Sequence, residues 1–122
     1  MKGTLKSRRA FKYIYDNGQR AVGAHVVVFA VPDSPDLGEA AGAVGIVASR
    51  KVGHSPDRSR AKRVLRAALR EIRTRHELRG HLILVGRRAL IQDGVRSTEL
   101  ASELEGLLER AGSIQGSQGS PT

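Results

Sequence analysis

The sequence predicts a small domain that combines α-helices and β-strands. At 122 residues the chain has the length of about one domain. Three short segments rich in Val, Ile and Leu are typical of buried strands, and three others carry apolar residues at helical spacing. The hydrophobic share of 39% is enough for a core. The absence of cysteine excludes disulfides, cysteine-ligated zinc and cysteine nucleophiles.

The first predicted element is a helix over residues 5–17. Phe11, Ile14 and Tyr15 recur at helical spacing and therefore share one face. Gly18 follows them, and glycine commonly ends a helix.

Strands are predicted at residues 25–31, 43–49 and 81–86. The first is rich in β-branched residues and stops at Pro32, which cannot donate a ladder hydrogen bond. The connection between the first two is short, so we expect the second strand to return antiparallel beside the first, as in a hairpin.

Residues 55–75 are predicted to form an amphipathic helix. Ser55 is expected to cap it, Pro56 suits the first helical position and Asp57 suits the first turn. The apolar side chains fall on one arc: Ala61, Val64, Leu65, Ala68, Leu69 and Ile72. The basic side chains fall on another: Arg58, Lys62, Arg63, Arg66, Arg70 and Arg73.

The last predicted helix covers residues 98–110, with Ser97 or Thr98 as its cap. Its leucines recur at helical spacing, which indicates one buried face. From residue 112 to residue 122 the chain is rich in Gly, Ser and Gln, with little to bury. We therefore expect one domain over residues 1–111 and a disordered tail over residues 112–122.

Positive charge is concentrated in one segment of the chain. The net charge is +9, and residues 50–75 contain ten basic and two acidic residues, a net +8. Such a charge points to a polyanion, because binding of phosphates releases counterions. No apolar segment reaches the roughly 20 residues that span a bilayer, and no signal peptide is evident, so we expect a cytoplasmic protein without a membrane partner.

The charged residues form no recognisable catalytic or metal-binding motif. The four histidines are scattered, so a surface or core role is expected for each. Glu99 and Glu103, like Glu105 and Glu109, are four residues apart and are interpreted as a solvated acidic face. A binding protein is therefore favoured over a stand-alone catalyst, and no catalytic residue or protein-held metal is predicted.

Three of the four aromatic residues lie on the first predicted helix and the first predicted strand, and they form a second candidate site. Phe11 and Tyr15 belong to the first helix, and Phe29 to the first strand. They are either core residues or a platform on which unpaired bases stack. The sequence does not decide between these two roles.

Two adjoining motifs resemble the protein subunit of bacterial ribonuclease P. Residues 45–53 read GIVASRKVG and residues 58–66 read RSRAKRVLR. The family has a strand ending in Ser-Lys-Lys-Val-Gly-Asn and a helix carrying Arg-Asn-Arg-x-Lys-Arg-x-x-Arg. Ser59 and His54 stand where asparagines are usual; Ser59 lacks an amide, which weakens its expected contact with RNA.

The resemblance implies a two-layer α+β sandwich similar to ribosomal proteins. A mostly antiparallel, four-stranded sheet would carry about three helices on one side, with a left-handed β-α-β crossover. The fourth strand would lie near residues 20–23 or around Lys51.

The resemblance also implies a ribonucleoprotein that removes the 5′ leader from precursor tRNA. The catalyst would be the RNA subunit, with Mg²⁺ held mainly by that RNA and the substrate. Contacts with the RNA subunit would come from Arg58, Ser59, Arg60, Lys62, Arg63 and Arg66, extended by Ser49, Arg50 and Lys51. The leader would lie in a cleft lined by Phe11, Tyr15 and Phe29. The main alternative is a ribosomal or other RNA-binding protein without a role in tRNA processing.

Overall fold

The computed structural model describes residues 4–34, 37–39 and 43–114. These residues form four strands and four helices. In chain order they are α1 (Arg8–Asn17), β1 (Gln19–Val22), β2 (Val26–Val31), β3 (Val44–Ala48), α2 (Ser55–Arg73), β4 (His81–Gly86), α3 (Arg88–Gln92) and α4 (Ser97–Arg110). The predicted α+β class is confirmed.

The four strands form one sheet in the order β1-β2-β4-β3. β1 and β2 form an antiparallel hairpin, β2 and β4 are antiparallel, and β3 and β4 are parallel. The strand that was expected near residues 20–23 or around Lys51 is β1, at the first of these two positions. Lys51 lies in a turn. The β3-α2-β4 unit is the expected β-α-β connection, and its left-handedness stays a prediction.

The expected pairing of β3 with β2 is wrong. β3 does run antiparallel to β2, but β4 lies between them and bonds to both. Residues 81–84 of β4 are all buried, so this strand needs protein on both of its faces and edges. β1 is mostly exposed, three of the five residues of β3 are only partly buried, and these two strands form the edges of the sheet.

Helices cover both faces of the sheet, not one side as expected. α2 and α4 pack on the face that carries Val28, Leu82 and Leu84, and form the larger core. α1 packs on the opposite face, where Ile14 is buried near Ile83. The reason is the alternation of side chains along β4, which presents leucines to one face and Ile83 to the other.

The predicted helix starts need correction. Ser55 is the first residue of α2 and not its cap; its hydroxyl accepts a hydrogen bond from Arg58 instead (3.0 Å). α4 likewise begins at Ser97, and the Glu99 carboxylate accepts a hydrogen bond from the N–H of Arg96 (3.0 Å). α3 was not predicted, because five residues are too few to show a helical period.

The packed part of the chain continues beyond the expected boundary after residue 111. The N–H of Arg79 donates to the carbonyl of Ser113 (2.8 Å), and Ile114 is 4% exposed within the larger core. Burial of the apolar side chain of Ile114 in this core holds residues 112–114 against the domain. The remainder of the expected tail, residues 115–122, lies outside the described residues.

The glutamates of α4 do not form a solvated acidic face. Glu103 accepts hydrogen bonds from the backbone N–H of His25 (2.8 Å) and pairs with its Nδ1 (2.7 Å). Asp93 pairs with the other ring nitrogen of His25 (2.8 Å). Burial lowers the pKa of His25, but the two carboxylates outweigh burial and raise it overall. His25 therefore joins the β1–β2 turn to α4.

Glu105, two residues after Glu103 on α4, makes a similar contact with a different part of the chain. It pairs with His76 (2.9 Å) and Arg75 (3.1 Å), just beyond the end of α2. The hydrogen bond from His76, reinforced by Arg75, lowers the pKa of Glu105. These contacts join α4 to the segment that follows α2, although the residues are about 30 positions apart in the sequence.

Candidate RNA interface

α2 presents a row of basic side chains along one side. Arg60, Arg63 and Arg66 are exposed, and Lys62 is half-buried. Ser59 is exposed beside them. The opposite side of the helix is buried through Leu65 and other apolar residues, so the arginines cannot turn inward. The predicted separation of a dry face from a cationic face is confirmed.

Arg58 differs from the other basic residues of α2. Its guanidinium donates to the carbonyl of Gly53 (3.2 Å) and to the Ser55 hydroxyl (3.0 Å). Gly53 has a φ of 149°, a conformation that side-chain-bearing residues rarely adopt. Part of the hydrogen-bonding capacity of Arg58 therefore holds the turn that precedes the helix.

A broad basic concavity lies where β3 and β4 end. Arg50 and Lys51 follow β3, and Arg88 follows β4, at the start of α3. Adjacent parallel strands end at the same side of the sheet, so these residues meet although they lie far apart in sequence. Together with Arg58 they line a concavity of about 900 Å³. Ser49 is exposed and lies between the end of β3 and the turn that contains Arg50 and Lys51.

Sequence reasoning missed Arg88. The signal that identifies it is the pair Arg87 and Arg88 directly after the third predicted strand. That signal acquires meaning only once β3 and β4 are known to be parallel neighbours.

The three aromatic side chains converge as predicted. The ring centroids of Phe11 and Tyr15 are 6.5 Å apart, and those of Tyr15 and Phe29 are 5.0 Å apart in an edge-to-face arrangement. Tyr15 is 40% exposed, while Phe11 and Phe29 are partly buried. Burial raises the pKa of Tyr15, so the phenol stays neutral near pH 7. The cluster combines core packing with an accessible ring.

Gly45 on β3 allows Phe11 to reach the sheet. A Cβ atom at this position would lie 2.5 Å from Cζ of Phe11 and 2.7 Å from its Cε1. Such distances are far below van der Waals contact, so any larger residue displaces the ring. The position of the aromatic cluster thus depends on a glycine that belongs to the first sequence motif.

The sheet surface next to the cluster is a partly exposed apolar floor. It is formed on the α1 face by Val22, Val27, Val47 and Val85. Arg20 pairs in register with Phe29, so its exposed side chain leaves the same face beside the ring. Aromatic rings, aliphatic floor and one neighbouring guanidinium are suited to an unpaired RNA strand.

The described residues supply groups that can bind RNA, and they include no cluster built to hold a metal ion. Across the described parts of the chain, no three His, Asp or Glu side chains gather in a way that could hold a metal ion. None of the described helices is both long enough and apolar enough to cross a bilayer. The features that remain are cationic and aromatic.

Comparison with known proteins identifies a family that the chain resembles over most of its length. The family model described as Ribonuclease P matches residues 1–112. The ribonuclease P protein component of Symbiobacterium thermophilum is 35% identical over 111 residues, covering 91% of this chain and 92% of the relative. The component from Nitratiruptor is 45% identical over 69 residues, covering 55% of this chain and 58% of the relative.

The fold agrees with a solved structure as well. The RNase P protein of Staphylococcus aureus superposes with a TM-score of 0.74 at 21% identity, covering 94% of this chain and 100% of that chain. This likeness shows that the two proteins share a fold. The chain belongs to the ribonuclease P protein family.

Proposed function

We propose that the chain is the non-catalytic protein subunit of a ribonuclease P ribonucleoprotein. Family membership implies the processing of precursor tRNA by removal of its 5′ leader. The observation that supports this proposal is that two surfaces with the chemistry to bind RNA lie on different faces of one sheet. One is the basic face of α2, and the other is the aromatic cluster with its apolar floor.

The basic face of α2 is assigned to the catalytic RNA subunit. The side chains of Arg60, Arg63 and Arg66 are exposed on α2, and none of them forms an ion pair with a described residue. Guanidinium groups contact phosphates through two parallel hydrogen bonds, and binding is strengthened by counterion release. Ser59, Lys62 and the basic concavity extend the contact. Arg58 contributes charge while it holds the turn.

The aromatic cluster is assigned to the single-stranded leader. The ring of Tyr15 is accessible for stacking, and contacts with Phe11 and Phe29 hold it in position. Arg20, on the same face of the sheet, can bind a phosphate of the leader backbone. Only precursor tRNA has a leader, so this contact strengthens substrate binding without strengthening product binding. The protein would thereby favour the substrate without taking part in bond cleavage.

Magnesium is assigned to the RNA subunit and the substrate. Mg²⁺ prefers oxygen ligands in octahedral geometry. The basic concavity contains a single carboxylate among its described lining residues, Asp57, surrounded by cations. These residues do not fit a protein-held Mg²⁺. The basic residues of the concavity suit phosphate groups instead. By binding phosphates they would reduce the repulsion between the RNA subunit and the precursor tRNA. We also propose that the complex acts in the cytoplasm.

Reconstitution with the cognate RNA subunit tests the proposal. Cleavage of precursor tRNA is measured at low Mg²⁺ with and without the protein, and circular dichroism verifies that the protein is folded. Stimulation by the protein is expected. A folded protein that binds RNA but does not stimulate cleavage would favour the alternative, an RNA-binding protein outside tRNA processing.

A further inference from the structure

A second, smaller cavity lies between α2 and the outer edge of β3. Its volume is about 320 Å³ and it is half-open to solvent. Val44, Ile46 and Leu69 give it an apolar floor, and arginines of α2 border it. No carboxylate occurs among its described lining residues. The cavity is therefore apolar below and cationic above.

Three arginines, Arg66, Arg70 and Arg73, border the cavity. They are spaced by four and three residues and so follow one stripe of the helix. Burial lowers the pKa of Arg73, which reflects a guanidinium that has lost part of its hydration. Arg66 and Arg70 lie one turn apart on α2 above this apolar surface; their like charges repel each other, and an anion relieves that cost.

Beside the cavity, the outer edge of β3 is only partly paired by the residues that the structure describes. The N–H of Leu5 donates to the carbonyl of Val44 (3.1 Å) on the outer side of β3. The chain then leaves this edge, since the N–H of Ser7 donates to Glu39 (2.8 Å). Backbone groups of alternate residues face the same side, so the N–H and C=O of Ile46 face outward too. One donor and one acceptor thus border the cavity.

We propose that this cavity holds one unpaired nucleotide of the RNA subunit. The base lies on the apolar floor and bonds through its edge to the peptide groups of Ile46, while the arginines contact the adjoining phosphates. A volume near the lower limit of small-molecule sites, about 300–1,000 Å³, suits a single nucleotide and not a duplex. This inference rests on the proposed assignment of α2 to the RNA subunit.

The position in the fold identifies the source of the nucleotide. Val44 and Ile46 point to the α2 face of the sheet, whereas Gly45 contacts Phe11 on the α1 face. The sheet separates the cavity from the aromatic cluster. A leader held by Tyr15 therefore lies on the other side, and the nucleotide in the cavity belongs to the RNA subunit.

Crosslinking of the reconstituted complex tests this directly. 4-Thiouridine is placed in the unpaired regions of the RNA subunit in one sample and in the precursor leader in another. Mass spectrometry is expected to find crosslinks to Thr4, Val44 or Ile46 from the RNA subunit only. Crosslinks to these residues from the leader, or crosslinks from the RNA subunit that reach α2 but none of these three residues, would overturn the proposal.

Substitutions separate the cavity from the general charge of α2. Ile46→Trp fills the cavity without removing charge, so RNA-subunit affinity should fall about tenfold, which corresponds to about 1.4 kcal/mol, with an unchanged salt slope. Arg70→Ala should lower the salt slope by about one phosphate contact and reduce the crosslink. Arg63→Ala, outside the cavity, should lower the slope and leave the crosslink intact.

The two proposals fail in different ways. Unchanged affinity in a folded Ile46→Trp variant, with normal stimulation of cleavage by the wild type, would overturn the cavity proposal alone. Absence of stimulation by the wild type would overturn the proposed function. If Ile46→Trp does not fold, the crosslinking result on the wild-type protein decides.

Discussion

Replacement of Tyr15 by alanine tests whether the aromatic cluster distinguishes precursor from mature tRNA. The side chain is 40% exposed and its inner edge is occupied by Phe29, so one base at most can stack on it. A base stack is worth about 1–3 kcal/mol, and partial access favours about 1–2 kcal/mol. At about 1.4 kcal/mol per tenfold, precursor affinity should fall about 5- to 30-fold. Mature tRNA should bind as before.

The chain offers a matched control for this substitution. Tyr13 is on the same helix and is 43% exposed, but it lies outside the ring cluster. Tyr13→Ala should leave the ratio of precursor to mature affinity unchanged. Both affinities are measured with the reconstituted RNA subunit. Equal losses for precursor and mature tRNA, or equal effects of Tyr13→Ala and Tyr15→Ala, would refute the leader assignment.

Protein stability must be measured alongside binding. Tyr15→Ala removes two ring contacts, worth about 0.5–1.5 kcal/mol each. Domains are usually stable by about 5–15 kcal/mol, so the variant should remain folded. Urea unfolding gives the stability directly, and Tyr15→Leu keeps apolar packing without an aromatic face. Loss of discrimination in both variants would identify stacking as the cause.

Three further predictions concern a glycine, the arginines and a histidine. Gly45→Ala should displace Phe11 and destabilise the protein by about 1–3 kcal/mol, with reduced precursor preference; Gly106→Ala, where the added methyl meets nothing within 4 Å, should stabilise it instead. Arg60→Ala or Arg66→Ala should lower the salt slope of RNA binding by about one phosphate contact, and Arg110→Ala on α4 should not; an unchanged slope would place Arg60 and Arg66 outside the interface. The raised pKa of His25 means that its contribution to stability is fully present below the unfolded pKa of about 6.5 and is lost as pH rises through the higher folded value. The difference in unfolding free energy between wild type and His25→Gln should therefore be larger at about pH 5.5 than at about pH 8.5, and equal differences would contradict this pairing.

The sequence predicted the segments whose structure depends on local pattern. β4 was predicted with its observed bounds, and the apolar stripe of α2 proved to be its buried side. Helical and strand periods are visible within a few neighbouring residues, which is why these predictions held. The convergence of Phe11, Tyr15 and Phe29 was also predicted, because two of the rings share one face of α1.

Pairing between distant segments was beyond the reach of local pattern. The short connection between β2 and β3 favoured a hairpin of these two strands. Instead β4 lies between them, because this strongly apolar strand is buried best in the interior of the sheet. The same limitation concealed the contact of His25 with Glu103, 78 residues apart. Neither residue carries a local signal for the other.

The sequence by itself determined the class of ligand and the family, because charge, helical period and motif order are properties of neighbouring residues. Only the tertiary structure decided which surfaces those residues build. Parallel pairing of β3 and β4 brings Arg88 to Arg50, the missing side chain of Gly45 admits Phe11, and the partly paired outer edge of β3 borders the cavity beneath Arg70. Each depends on the contact of segments that are remote in the chain, and such contacts are settled by the burial of the whole core.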